Sequence, residues 1–401
     1  MASATMERAE RCIAHTYKRI PLVLTRGSGA TLWDETGRRY TDFVAGIAVC
    51  NLGHAHPRLA RALAEQAQVL WHVSNLYYTQ PQIELAAWLV EHSFADRVFF
   101  CNSGAEANEA AIKLARKYFK EKGEPGRYRI VSMELSFHGR TMATLSATGQ
   151  EKVKLGFDPL LEGFDFVPFN DAAALRRAIG SRTAAVLLEP IQGEGGVRRP
   201  DPGYLAAVRR LCDEAGVLLI FDEIQTGMGR TGTLFAYEQF GVTPDIMTLA
   251  KAIANGLPMG AMLAREEAAA AFGPGAHAST FGGTPIVSAA ALEVCRILGE
   301  GAVLAHAREV SAHFRVRLEE LKARHPLVEE VRGLGLLLGL KLAVDGEPFV
   351  QGCREAGFLI NCVQGNVLRF VPPLVITVEE IDALVACLDG LLERAEREKA
   401  S

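Results

Sequence analysis

The residue types best suited to covalent chemistry stand at the ends of two apolar runs. Ile246-Met247-Thr248-Leu249-Ala250 ends in Lys251. Burial beside such a run disfavours the ammonium form and lowers the amine pKa from about 10.4, which frees the amine to condense with a carbonyl as a Schiff base. The plain alternative is a structural lysine that carries its charge out to water along its aliphatic stem. Val217-Leu218-Leu219-Ile220-Phe221 ends in Asp222. It reads as a buried strand with a carboxylate at its carboxyl end, the edge at which open α/β sheets bind ligands. Such a carboxylate can keep a proton on the nitrogen of a pyridine ring and make the ring an electron sink. It can equally cap the next loop.

Four further stretches surround this pair. Phe99-Phe100-Cys101-Asn102-Ser103-Gly104-Ala105-Glu106 reads as strand, tight turn and helix start. The free N–H groups of such a start suit a phosphate, and Gly104 permits close approach. Ser103-x-x-Glu106 is also a plain capping box. In Phe137-His138-Gly139-Arg140 the phenyl ring could cover a flat cofactor and the guanidinium could grip a carboxylate. A core Phe and a surface Arg would look the same. Ser279-Thr280-Phe281-Gly282-Gly283 is a second polar loop, fit for a phosphate or simply a glycine-rich turn. Arg369 interrupts the apolar stretch Val367–Val371 and needs a buried anion. Either a substrate carboxylate or a structural glutamate would serve, and Glu194 in Gly193-Glu194-Gly195-Gly196 is the candidate glutamate.

These residues need elements to position them. Residues 17–50 read as strands and turns, with Thr31–Trp33 and Tyr40–Phe43 flanking Glu35-Thr36-Gly37. From about 55, apolar runs alternate with amphipathic helices, which predicts a parallel sheet with crossover helices. The expected strands are Val98–Cys101, Ile130–Met133, Ala184–Glu189, Val217–Phe221 and Ile246–Leu249. Expected helices are Ala105–Tyr118, Gly203–Ala215, one long helical region from Pro285 past Leu321, and Glu379–Arg397. Strands are also expected at Gly335–Lys341 and Val367–Phe370. The spacing predicts a large α/β domain at 51–288 and a smaller domain built from 1–50 and 289–401.

At 401 residues and 49% hydrophobic content the chain can bury cores of that size, whereas a net charge of -4 offers no basic footprint for nucleic acid. The 8 cysteines show no C-x-x-C spacing, so neither zinc nor a redox motif is signalled. The start lacks an apolar leader and no run of about 20 apolar residues could span a bilayer. The expectation is a cytoplasmic protein without a membrane partner.

In their order, LGHAHP, FCNSGAEANEAAIKLAR, SFHGRT, EPIQGEGG, FDEIQTGMGRTG, LAKAIANGLPMGA and STFGGTP resemble the class III aminotransferases, most closely the acetylornithine branch. The resemblance runs from about Arg26 to Pro373. It implies the type I pyridoxal-phosphate fold, pyridoxal 5'-phosphate as cofactor, and a homodimer with shared active sites. Lys251 would then carry the Schiff base and move the proton. Asp222 would meet the pyridine nitrogen, Gln225 would lie near the ring hydroxyl, and Phe137 would stack on the ring. Ser103 with the N–H groups of Gly104 and Ala105 would hold the phosphate, completed by Thr280 of the neighbouring subunit. Arg140, with Ser279 nearby, would bind a carboxylate of the amino donor. Arg369 would take the α-carboxylate of glutamate or 2-oxoglutarate, and Glu194 would pair with it when the other substrate is bound. The implied reaction moves the δ-amino group of N-acetylornithine to 2-oxoglutarate, a step of arginine biosynthesis. Tyr17 matches an aromatic shared with the ornithine branch, whereas Ile47 stands where that branch has a tyrosine that holds the free α-amine. Ornithine, succinylornithine, N-succinyl-diaminopimelate and 4-aminobutyrate are the alternative donors.

Two readings from other classes use different residues. Gly333-x-Gly335-x-x-x-Gly339 could be a nicotinamide-binding loop, although the run continues as strand. Cys101 at a helix start, with His138 as base, could be a thiol hydrolase.

Overall fold

The computed structural model describes residues 4–400; Met1–Ser3, on which part of the expectation about the chain's start rests, and Ser401 lie outside the described residues. The strands in chain order are β1 Leu24–Ser28, β2 Thr31–Asp34, β3 Arg39–Asp42, β4 Arg97–Cys101, β5 Arg129–Met133, β6 Phe164–Val167, β7 Thr183–Leu188, β8 Leu218–Asp222, β9 Ile246–Leu249, β10 Gly260–Ala264, β11 Val328–Leu334, β12 Leu337–Leu342, β13 Phe358–Leu359, β14 Asn361–Val363 and β15 Val367–Phe370.

The central sheet has the order β4-β10-β9-β8-β7-β5-β6. Strands β6, β5, β7, β8 and β9 run parallel, and β10 is antiparallel to both of its neighbours. Along β8 the side chains alternate between two cores. Leu218 and Ile220 pack with Ala111, Leu114 and Ala115 of the helix Gly104–Glu121. Leu219 and Phe221 pack with Leu205, Val208 and Cys212 of the helix Tyr204–Ala215. A strand covered on both faces has no polar alternation, which is why it reads as one continuous apolar run.

The other two sheets draw on both ends of the chain. β13 pairs in parallel with β3, so the N-terminal meander β1-β2-β3 is closed by a strand more than 300 residues later. The sheet β11-β12-β15-β14 is wholly antiparallel. Among the described residues no helix is long and apolar enough to cross a membrane.

Several elements differ from the expectations. β6 and β10 carry no clear strand signal: β10 is Gly-Ala-Met-Leu-Ala, poor in β-branched residues, and pairing on both sides makes it a strand. The helical region after Pro285 is two helices, Pro285–Gly299 and Ala302–Arg324, divided at Gly301 with φ +83°. β12 begins at Leu337 rather than at Gly335, because Gly335 at φ +60° belongs to the hairpin turn between β11 and β12. A Cβ at Gly333 would lie 1.9 Å from the carbonyl oxygen of Leu337. These glycines shape a hairpin, and no helix follows them, so the nicotinamide-loop reading fails. A helix Ala4–Cys12, outside the expected elements, precedes the meander.

One buried guanidinium ties these parts together. Arg230, in the loop after β8, is fully buried and has no carboxylate partner among the described residues. It donates to the carbonyls of Leu336 (3.0 Å) and Pro372 (2.5 Å) and to Asn51 Oδ1. Burial pulls its pKa down to about 9. Arg230→Met would leave those three acceptors unpaired, each costing about 1–3 kcal/mol. We expect a clear fall in melting temperature of the cofactor-loaded protein, measured by calorimetry; an unchanged value would contradict the clamp.

Candidate active site

The carboxyl edge of the central sheet opens into a cavity of about 440 Å³ lined by Ser103, Gly104, Ala105, Phe137, Arg140, Glu189, Glu194, Asp222, Gln225 and Lys251 among others. Asp222 is almost wholly buried and its oxygens are occupied in detail. Oδ2 meets His138 Nδ1 at 2.7 Å and accepts from Asn108 Nδ2 at 2.8 Å, while Oδ1 accepts from the N–H of Ile224 at 3.1 Å. Asn108 also donates to the carbonyl of His138 and accepts from Thr248 Oγ1, both at 2.8 Å. A buried carboxylate persists only when paired in this way.

Lys251 stands two residues after the end of β9 and has φ +49°, a left-handed conformation that costs energy in a non-glycine residue and is found at functional sites. Burial pulls its amine below the usual lysine range; Glu194 opposes this and Arg369 adds to it.

At the helix start, Ser103 Oγ accepts from the N–H of Glu106 at 3.2 Å. The Glu106 carboxylate returns to the N–H of Asn102 (2.5 Å) and its side-chain amide (2.9 Å), one residue before the expected Ser103. The first intrahelical bond is made by Ala107 to the carbonyl of Ser103 at 3.0 Å. The N–H groups of Gly104 and Ala105 therefore precede the helical ladder and face the cavity, where they can hold an anion.

Arg369 on β15 is 1% exposed and ion-paired to Glu194. Its guanidinium also donates to Gln225 Oε1 and to Asn361 Oδ1, each at 3.2 Å. Gln225 in turn donates to Glu194 at 3.4 Å. Burial alone would raise the Glu194 carboxyl, but Arg369 and Lys251 hold it below the usual range. Arg140 is exposed at the cavity mouth, 5.6 Å from the centre of the Phe137 ring, and has no carboxylate partner among the described residues.

Four candidates stand outside the cavity lining of the single chain: Arg369, which meets the lining through Glu194, and Ser279, Thr280 and Tyr17. Ser279 Oγ accepts from Asn102 (3.2 Å) and from the N–H of Gly282 (2.9 Å). Thr280 is exposed beside Phe281, and Tyr17 is 74% exposed. The thiol-hydrolase reading fails on two counts. Burial pushes the Cys101 thiol up to about 12, and the base it would need, His138, is bonded to Asp222.

Two lining or supporting residues escaped the sequence reading of the site. Asn108 sits on the apolar face of its helix, and that polar interruption was the available signal. Glu189 ends the β7 run, accepts from the N–H groups of Phe137 and Gly193 (both 3.2 Å), and is pushed up to about 7 by burial.

With this geometry established, the comparisons place the chain. The model of the class III aminotransferases matches residues 12–392, and the chain belongs to that family. It is a pyridoxal-phosphate-dependent aminotransferase of the type I fold. It is 50% identical over 381 residues to an acetylornithine aminotransferase of Myxococcus xanthus, covering 94% of this chain and 95% of the relative. The N-acetylornithine aminotransferase structure from Stenotrophomonas maltophilia is 40% identical with a TM-score of 0.83, covering 98% of this chain and 100% of that one. The ornithine aminotransferase structure from Toxoplasma gondii is 35% identical with a TM-score of 0.95, covering 98% and 95%. The residues present fit the cofactor: a carbonyl-reactive amine, a buried carboxylate for a ring nitrogen, an aromatic wall and unpaired N–H groups line one cavity.

Glu189 gives a pH signature. Its folded pKa of about 7 lies above the ordinary value of 4.5. Its contribution to stability is therefore fully present below about pH 4.5 and is lost as pH rises to about 7. Glu189→Gln stays neutral at every pH. The melting temperature of the variant minus that of the wild type should rise between pH 5 and 7 and then level off, corresponding to about 3 kcal/mol at most. A difference that does not change with pH would refute the assignment.

Proposed function

We propose that this enzyme transfers the δ-amino group of N2-acetylornithine to 2-oxoglutarate, giving N-acetylglutamate 5-semialdehyde and glutamate. The observation that carries the reading is one cavity lined by Lys251, Asp222 and Glu194, the last of these ion-paired to Arg369. Pyridoxal phosphate supplies, when bound, a ring that takes up the electron pair of the carbon bearing the transferred nitrogen. The chain's own residues do the rest. Lys251 Nζ takes and returns the proton at that carbon, helped by a lowered pKa. Asp222, braced by His138 and Asn108, would pair with the ring nitrogen, Phe137 would cover the ring, and Gln225 would meet the ring hydroxyl. Ser103, Gly104 and Ala105 would hold the phosphate.

Arg369 serves the two substrates differently. Paired to Glu194 it presents no free charge, which suits a donor whose reacting δ-carbon bears an amine and no carboxylate. The α-carboxylate of glutamate or 2-oxoglutarate displaces Glu194 and takes the guanidinium. Arg140, free of any acid at the mouth, receives the donor carboxylate with Ser279 nearby. The names of the relatives support the acetylated donor, and so does Ile47, whose side chain cannot hydrogen-bond a free α-amine. Eight free cysteines, none in a disulfide, suit a reducing cytoplasm.

A homodimer fits the surface. Val69, Trp71, Leu76, Tyr77, Tyr78 and Phe281 are large apolar side chains left exposed on the single chain. Large apolar side chains left exposed in such number suit an interface. Thr280 adjoins Phe281 and would reach the phosphate of a second copy, with Tyr17 buried by the same contact.

Lys251→Ala should lose at least about 10³-fold in kcat and the visible absorption of the cofactor-bound wild type. In the wild type, kcat/KM for N-acetylornithine should exceed that for ornithine; the reverse order would sink the donor assignment. Mixing Lys251→Ala with Thr280→Val subunits checks the shared site. Each homodimer should be impaired, while the hybrid regains one complete site. Failure of hybrids to recover activity would show that Thr280 does not act across the interface.

A further inference from the structure

A second cavity, of about 600 Å³, opens beside the segment that follows the Glu194 loop and shares no lining residue with the one that holds Lys251. Its charge is lopsided. Arg198, Arg199, Arg315 and Arg332 line it against two carboxylates, Asp201 and Glu330. Arg198 and Arg199 come from the stretch between β7 and the helix Tyr204–Ala215, Arg315 from the helix Ala302–Arg324, and Arg332 from β11. Arg198, Arg315 and Arg332 are part-buried, and Arg199 is exposed.

The partners within the chain do not use up this charge. Glu330 meets Arg332 Nε at 2.7 Å, and Arg332 Nη1 donates to the carbonyl of Gly196 at 3.1 Å. Arg315 donates to the carbonyl of Gly333 and has Glu319 only at 3.8 Å. Burial holds the Arg315 guanidinium below its ordinary range; Glu319 opposes this, and the like charge of Arg199 adds to it. Among the described residues Arg198 and Arg199 have no carboxylate partner, and Arg198 lies 5.9 Å from the centre of the Phe169 ring. Like charges gathered on a partly buried wall repel one another, and an anion placed among them removes that cost.

The wall carries a second kind of donor. The helix Tyr204–Ala215 begins there without a side-chain cap, Gly203 standing before it with φ +80°. Its first bond is made by Ala207 to the carbonyl of Gly203 at 2.9 Å. The N–H groups of Leu205 and Ala206, two lining residues, therefore precede the helical ladder at the positive end of the helix dipole.

We propose that this cavity is a second ligand site, which binds a small oxyanion carrying two or more negative charges. Guanidinium forks match the paired oxygens of a phosphate or a carboxylate. The volume falls within the range of about 300–1,000 Å³ common to small-molecule sites. The occupant sits at the base of the Glu194 loop, which Gln192 and Arg198 close by two backbone hydrogen bonds of 3.0 and 2.9 Å.

The test is calorimetric titration of pyrophosphate, and separately of citrate, into the cofactor-loaded wild type at fixed ionic strength. At least one of them should bind saturably with a Kd of about 1 mM or tighter. Tighter binding of pyrophosphate assigns a phosphate-bearing ligand, and tighter binding of citrate a polycarboxylate. Arg198→Gln/Arg199→Gln should weaken that binding at least about 10-fold, while KM for 2-oxoglutarate stays within about 2-fold. Should the double variant misfold, Arg199→Gln alone, at an exposed side chain, should weaken binding at least about 3-fold. Absence of saturable binding by either anion overturns the proposal, and so does binding that survives the substitutions. A loss of anion binding matched by an equal rise in KM for 2-oxoglutarate places the anion in the catalytic cavity and overturns it as well.

Discussion

The site depends on a carboxylate held at the end of a strand that is buried on both faces. Asp222 cannot turn to water on the side of the sheet, so its oxygens must be satisfied by protein. Three partners do this, and each brings a wall of the cavity with it. Asn108 sets the depth of the helix Gly104–Glu121, whose start presents Gly104 and Ala105. His138 sets the loop that presents Phe137 and Arg140. The N–H of Ile224 starts the loop that carries Gln225 and, further on, Arg230. One carboxylate thereby registers three otherwise separate segments.

A second set of charges joins the sheets. Arg369 comes from the antiparallel sheet formed late in the chain, and Glu194 from the loop after β7. Their pairing holds Glu194 where it lines the cavity. Because the guanidinium is buried and its other acceptors, Gln225 and Asn361, are neutral, losing Glu194 without another carboxylate in its place is costly. That requirement makes it a natural receptor for a carboxylate able to replace Glu194. Lys251 lies within the field of both, and its lowered pKa reflects burial first and this balance second. Stability and reactivity are here properties of the same few contacts.

The turn at 45–48, where Ala45, Ile47 and Ala48 have φ of 49, 69 and 59°, shows the cost of such organisation. Hydrogen bonds accepted by Asp42, with ties to the loop that follows Lys251 and to the segment after β15, hold a conformation that the residues would not adopt alone. Arg230 acts in the same region for a different reason, pinning Asn51 to the hairpin β11–β12 and to the segment after β15.

Much of this was legible in the sequence. The fully buried strands were visible as apolar runs, since a strand covered on both faces must be apolar throughout. Lys251 and Asp222 were visible because each ended such a run with a charge, and the order of motifs singled out the family. The order of strands, the strand β10 and the break at Gly301 were not visible, because pairing partners and helix packing decide them. Nor did local pattern reveal that His138 and Asn108 serve Asp222, or that Glu189 is held up to about 7. Sequence reports which residues are too apolar or too polar for water. Only the tertiary structure decides which buried polar groups meet, because those meetings join residues more than 80 positions apart.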